Sequence, residues 1–190
     1  MMRAVPQASV NPTYPFYSWQ LYQPYRSHIY PHYVIAYPPV YPPSFVNERF
    51  SSLQGTDIRD FGKEPFVVDI EQVTKQNNTF RTALWTGAHF QVTVMSIPVG
   101  SDIGLEVHPN TDQFIRIEEG QSLVQMGNSR ERLDFEAKAQ EGYAIMIPAG
   151  KWHNVTNTGN KPLKVYVIYA PPQHPFGTVH PTKADAMASH

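Results

Sequence analysis

Apolar and polar positions alternate through the middle of this chain in short runs, without a helical period. Phe66-Val-Val-Asp-Ile70, Phe80-Arg-Thr-Ala-Leu-Trp85, Phe90-Gln-Val-Thr-Val-Met-Ser-Ile97, Gln113-Phe-Ile-Arg-Ile-Glu118, Ser122-Leu-Val-Gln-Met126 and Leu163-Lys-Val-Tyr-Val-Ile-Tyr169 are rich in β-branched and aromatic residues. Turn-forming residues separate such runs about every ten positions, the spacing of an all-β sandwich or barrel. The strand-rich region is expected to open at Phe66, with no amphipathic helix between residues 65 and 170. Residues 46–64 read as a connector with at most one helical turn, and Arg130 to Gln140 as a charged excursion between strands.

Two stretches carry candidate chemistry. In Ile103-Gly-Leu-Glu-Val-His108, Glu106 and His108 are two apart, so on a strand a carboxylate and an imidazole project from one face. Pro109-Asn-Thr-Asp112 ends that strand as a turn. A short hairpin then brings the Gln113 amide toward His108. His153 follows the tight turn of Pro148-Ala-Gly150. Nitrogen and oxygen donors converging from adjacent strands suit a divalent transition metal.

These stretches resemble the two motifs of the cupin superfamily over roughly residues 65 to 172. The first family motif runs Gly, five residues, His-x-His, three or four residues, Glu, six residues, Gly. Here it runs Gly100, five residues, Glu106-x-His108, four residues, Gln113, six residues, Gly120. The second runs Gly, five residues, Pro-x-Gly, two residues, His, three residues, Asn, and is matched throughout by Gly142, Pro148, Gly150, His153 and Asn157. The resemblance implies an all-β fold, the cupin double-stranded β-helix or jelly-roll barrel, as a compact single barrel. It also implies a metal held by Glu106, His108, Gln113 and His153, with Mn, Fe, Ni, Co or Zn as the candidate ion.

Glu106 stands where the family usually has His, and Gln113 where it usually has Glu. The exchange keeps one anionic ligand in the set, so the charge around a bound dication is unchanged. That favours a retained site, because buried charge is tolerated mainly when paired or metal-bound. The Gln113 amide is the weaker donor, either a loose ligand or a hydrogen-bonding neighbour of the ligands. The whole pattern is most similar to the small cupins grouped with mannose-6-phosphate isomerase-like proteins.

Composition changes the picture at the ends of the chain. Residues 1–45 hold nine of the 18 Pro and eight of the 11 Tyr, with no Asp or Glu and only Arg3 and Arg26 as strong bases. Such a sequence disfavours helix and central strand and reads as an extended arm. It is either a mobile tail or a segment that packs on its own barrel, a neighbouring subunit or an assembly. Its composition resembles the Tyr/Pro-rich extensions of spore-coat and surface-layer proteins. The expected layout is therefore an arm over 1–45, a connector over 46–64, the barrel over 65–172 and a C-terminal extension over 173–190. In that extension Pro-rich sequence precludes a regular helix, Ala184 to His190 is expected to fray, and His174 and His180 read as loop histidines available to a metal or substrate.

Net charge is −1. No basic stripe accompanies the aromatics, so nucleic-acid binding is disfavoured, and no run of apolar residues suggests a membrane span. There is no Cys, which excludes disulfides and thiolate metal sites. The amino terminus lacks the apolar region of a signal peptide. A cytoplasmic location is the expectation, with a spore coat or surface layer as the alternative. Ile115, Ile117 and Glu119 share the face of Gln113; Glu119 reads as a rim salt bridge or a general base. Asn157 reads as a structural hydrogen-bonder, and His89 as structural.

Two functions follow. One is a metalloenzyme acting on a small molecule, of dioxygenase, isomerase or lyase type, with its catalytic residues unassigned. The other is an assembly protein that uses the barrel as an oligomerising module. A dimer or larger homo-oligomer is expected in either case.

Overall fold

The computed structural model describes residues 57–188. The Tyr/Pro-rich stretch and most of the expected connector lie outside the described residues. Nine strands follow one another as β1 (Arg81–Thr86), β2 (Gln91–Ile97), β3 (Asp112–Glu119), β4 (Gln121–Gly127), β5 (Phe135–Gln140), β6 (Ala144–Ile147), β7 (Trp152–Asn157), β8 (Leu163–Ala170) and β9 (Val179–His180). Two short helices flank them, α1 (Ile70–Gln76) and α2 (Lys183–Ala188).

Six strands form one antiparallel sheet in the order β6-β3-β8-β2-β1-β9, and three form a second in the order β5-β4-β7. The two close on each other as a double-stranded β-helix. Their facing sides hold the main core, including Met95, Ile97, Ile115, Ile117, Val124, Ile145, Val155, Val165 and Val167. The alternation seen in the sequence is what places these side chains inward, since residues two apart on a strand share a face.

Beneath α1 the larger sheet is buried on both sides. Leu84 and Val94 leave its outer face and pack with Val73 of α1, against Ile70 of the same helix and Ile58, Phe61, Phe66 and Val68 from the segment before it. Phe61 and Phe66 stack with centroids 4.4 Å apart. The Phe61 amide donates to the Leu84 carbonyl at 2.9 Å, and the Trp85 indole to that of Glu64 at 2.9 Å.

Here the fold departs from the pattern in the sequence. Phe66–Ile70 is not a strand, and a helix follows it. The Asp69 carboxylate accepts from the Gln72 amide and caps α1, while Lys164 on β8 reaches the Asn77 carbonyl at its other end. Two turns held by a cap, a cation and one buried valine suffice, although the helix is too short to stand alone.

The C-terminal extension departs likewise. Val179–His180 adds to β1, with Arg81 opposite His180. Lys183–Ala188 is helical and does not fray: Thr182 and Asp185 form reciprocal capping bonds, Ala186 is wholly buried in the core, and Lys183 pairs with Asp102 at 2.7 Å. The charged excursion holds β5. No helix among the described residues is long and apolar enough to cross a membrane.

Candidate metal centre

The run between β2 and β3 is not a regular strand, yet it lies along β7. Ile103 N–H donates to Val155 O at 3.1 Å, and Asn157 N–H to Ser101 O at 2.8 Å. Farther along, Glu106 and His153 exchange both backbone bonds, at 3.1 and 2.9 Å. Residues paired in that way across an antiparallel ladder project to the same side. The Gly150 N–H donates to His108 O at 2.9 Å. Gly150 has φ +78°, a left-handed conformation that glycine adopts without strain. The two motifs are thus bound to each other by main chain on both sides of the site.

Glu106, His108 and His153 come together as a group that could hold a metal ion, each offering one ligand atom and all within 4.8 Å of one another. Glu106 Oε1 is 3.3 Å from His108 Nε2 and 3.4 Å from His153 Nε2. Both rings are buried. His153 Nδ1 lies 2.8 Å from the Lys151 carbonyl, so Nδ1 carries a proton and donates it. In the neutral ring Nε2 then presents a lone pair. Burial works against the Glu106 charge, but contacts with His108 and His153 and the field of Arg81 outweigh it, holding the carboxyl well below the usual carboxylate range. The carboxylate is hydrogen-bonded with His108 Nε2 and faces the Nε2 of His153, and positive charge between Glu106 and His153, as a proton or a metal cation, satisfies both. Glu106 Oε2 and His153 Nε2 have no hydrogen-bond partner. The donor set therefore fits a divalent ion.

Gln113 is placed on the inner face of β3, in register with Tyr169 of β8 and Ile147 of β6. It is buried, and its Oε1 makes no hydrogen bond. Asn157 ties strands together: its Nδ2 donates to the Ile97 and Lys161 carbonyls, each at 2.9 Å, and its Oδ1 accepts from Gly159 N–H. Glu119 pairs with Lys161 at 2.9 Å, and His89 is exposed.

Further polar groups lie beside the cluster: His174 and His180, read in the sequence as loop histidines available to a metal or substrate, and Arg81, Gln91 and Tyr169, which went unread. Rings run edge to face from His108 to Tyr169 (5.7 Å), on to His174 (5.0 Å), and then to His180 (6.3 Å). Gln91 clamps the His174 backbone with both ends of its amide, donating to the carbonyl at 2.9 Å and accepting from the N–H at 3.0 Å. Burial pushes the Tyr169 hydroxyl up to about 12. Burial, joined by the Arg81 charge, pushes His174 down to about 3. Both groups are neutral near pH 7. Arg81 is wholly buried. A period-two signal for these residues exists, since Gln91, Thr93 and Met95 alternate with Val92 and Val94. It does not say which set faces inward when both faces of β1 and β2 are buried.

The profile of the Cupin domain family matches residues 93–169. The uncharacterized protein YrkC of Bacillus subtilis (strain 168) is 64% identical over 132 residues, which cover 70% of this chain and 71% of YrkC. The chain belongs to the cupin superfamily. The crystal structure of BH2720 from Bacillus halodurans superposes on this cupin with a TM-score of 0.68 at 65% identity, covering 69% of this chain and 99% of that one. More distantly, the uncharacterized protein L612 of Acanthamoeba polyphaga mimivirus is 38% identical over 115 residues, 60% of this cupin and 70% of that protein.

Proposed function

We infer that this cupin is a metalloprotein acting on a small molecule, with chemistry of the dioxygenase, isomerase or lyase type. The observation that carries this reading is the meeting of an ionised Glu106 with the unpartnered Nε2 of His153 inside a closed barrel. Glu106, His108 and His153 are the ligands, Gln113 supplies a further oxygen, and Mn, Fe, Ni, Co or Zn is the ion. A divalent ion held there polarises a carbonyl or hydroxyl oxygen and acidifies bound water. The chain does the rest. The Lys151 carbonyl fixes the His153 ring, Glu106 supplies the single negative charge, and Ile115, Ile147 and Val155 exclude bulk water from the interior. Grouping with the mannose-6-phosphate isomerase-like cupins is part of this proposal.

Elemental analysis of protein purified without chelator tests it. Near-stoichiometric metal in the wild type and its loss in His153→Ala are expected. No metal in the wild type, even after reconstitution, rejects the metalloprotein.

A second reading is favoured by the acid-free Tyr/Pro composition of residues 1–45, which is costly ornament for a metabolic enzyme. In this reading the barrel is a homo-oligomerising module and the arm joins it to a spore-coat or surface-layer assembly. Sedimentation of the full chain and of a chain lacking residues 1–45 separates the two. An assembly protein loses its higher-order state when trimmed, and an enzyme keeps its metal and turnover.

A further inference from the structure

The inner face of the barrel holds unpartnered polar atoms of two opposite kinds. Glu106 Oε2, His153 Nε2 and Gln113 Oε1 are acceptors without donors, whereas Arg81 Nε and Nη1 are donors without acceptors. The first set calls for a cation, and the second calls for an anion.

Arg81 is an unusual residue to find in this position. It lies on the inner side of β1 opposite Met95, with no exposed surface. No ion pair among the described residues includes it. Its guanidinium carbon lies 5.8 Å from the centroid of the Phe80 ring, its charge acts on the Tyr169 hydroxyl, and its Nε and Nη1 have no hydrogen-bond partner. Its field reaches Glu106, Tyr169 and His174, so it shares their interior. A buried guanidinium normally meets a carboxylate through two parallel hydrogen bonds, and leaving it unmatched is expensive.

Charge balance shows when the anion is needed. Without a metal, Arg81 and Glu106 offset each other in the interior. Loading the site with a dication adds to the Arg81 charge and leaves the interior with an excess of positive charge that Glu106 alone does not offset. The one lysine buried in the sheet, Lys164, is turned to the outer face and bound to Asn77 and Asn78. A single planar fork, without a cluster of lysines, matches a carboxylate better than a phosphate.

We propose that Arg81 receives the carboxylate of a small organic acid inside the metal-loaded barrel, so that small carboxylic acids are the ligand class of this site. The proposal rests on the metalloprotein reading above. The hydroxyls of Thr93 and Tyr169 are buried beside Arg81, and that of Tyr169 interacts with both Arg81 and Thr93. Together with Arg81 they would orient the acid with its far end toward Glu106, His108 and His153.

The test uses the full chain loaded with cobalt(II), whose visible absorption reports on the metal without any turnover. Pyruvate is titrated in by calorimetry and by absorption, with the uncharged amide pyruvamide as control. Pyruvate binds the wild type and perturbs the cobalt bands, and pyruvamide does neither. In Arg81→Gln the cobalt stoichiometry is unchanged and pyruvate binding weakens at least about tenfold, the loss of one charge-assisted fork. Arg81→Lys keeps the charge without the fork and falls between the two; it carries the test if the glutamine variant does not fold. Undiminished pyruvate binding in either variant, or no binding to the cobalt-loaded wild type, overturns the anion site while leaving the metal reading intact. Failure of the wild type to take up cobalt overturns both.

Discussion

Beneath α1 the two faces of the larger sheet are both dry but built differently. On the outer face, beneath α1, polar groups are matched to one another. Asn77 accepts from the Thr79 hydroxyl and donates to the Thr79 carbonyl, both at 2.8 Å. The Thr79 and Thr82 hydroxyls meet at 2.6 Å, and Lys164 closes on the helix end. The Thr74 hydroxyl is the exception. On the inner face, Arg81, Thr93 and Gln113 keep unmatched atoms in equally deep burial, and Glu106 beside β7 of the smaller sheet keeps another. Thr82 and Arg81 are adjacent on β1, so one peptide bond separates the two regimes. Buried polar groups that are matched specify a structure, whereas groups left unmatched in a closed interior mark where something else binds.

The largest expected effect breaks the outer face alone. Leu84→Ala removes a fully packed side chain beneath α1 and is expected to cost about 2–5 kcal/mol in denaturant unfolding. Its metal content stays that of the wild type, because nothing in the centre touches that layer. The next acts on the inner face. A divalent metal at about 100 times its dissociation constant is expected to stabilise the wild type by about 2.7 kcal/mol. The rise in melting temperature disappears in His153→Ala and on addition of chelator.

Smaller still is the pH dependence carried by Glu106, where the gain from its partners is partly offset by desolvation. Its carboxyl is depressed in the folded chain, so its contribution is complete above the ordinary value of 4.5 and is lost as pH falls below that toward the folded value. For metal-free protein, the stability gap between wild type and Glu106→Gln is therefore widest above pH 4.5 and narrows in acid. A gap that stays constant through that range would show that the charge is not what stabilises. The smallest effect is Asp69→Ala, which deletes the cap of α1 and is expected to cost about 1 kcal/mol with no change in metal affinity.

Much of the inner face was legible in the sequence because it is written in two dense motifs. Spacing put Glu106 and His108 on one face and Gly150 in the turn before His153, and the resemblance to the cupin motifs joined His153 to them. The strands β1 to β4 and β8 were legible because their apolar positions alternate, whereas β5 lies in a run read as a charged excursion. The outer face was not. Phe66-Val-Val-Asp-Ile70 has strand composition, and its neighbour is a helix only because Asp69 meets Gln72 three residues on, a capping signal outweighed by the β-rich residues around it. Thr182 and Asp185 repeat that signal in a segment read as frayed, where the anchor is one alanine whose burial no local pattern reveals. Arg81 was missed for a different reason. A charged residue in an alternating run is ordinarily assigned to solvent, and here both sides of the strand are covered.

The hydrogen bonds that seat the centre join main chain to main chain: Glu106 with His153 in both directions, and His108 with Gly150. Such bonds are indifferent to the side chains they carry. The frame of this centre therefore constrains positions, and leaves the choice of ligand at each position chemically open. A carboxylate at residue 106 and an amide at 113, the reverse of the customary order of charge, need no adjustment of the backbone. The barrel behaves as a socket whose backbone accepts other pins at these positions, provided that the charges of the exchanged side chains still balance.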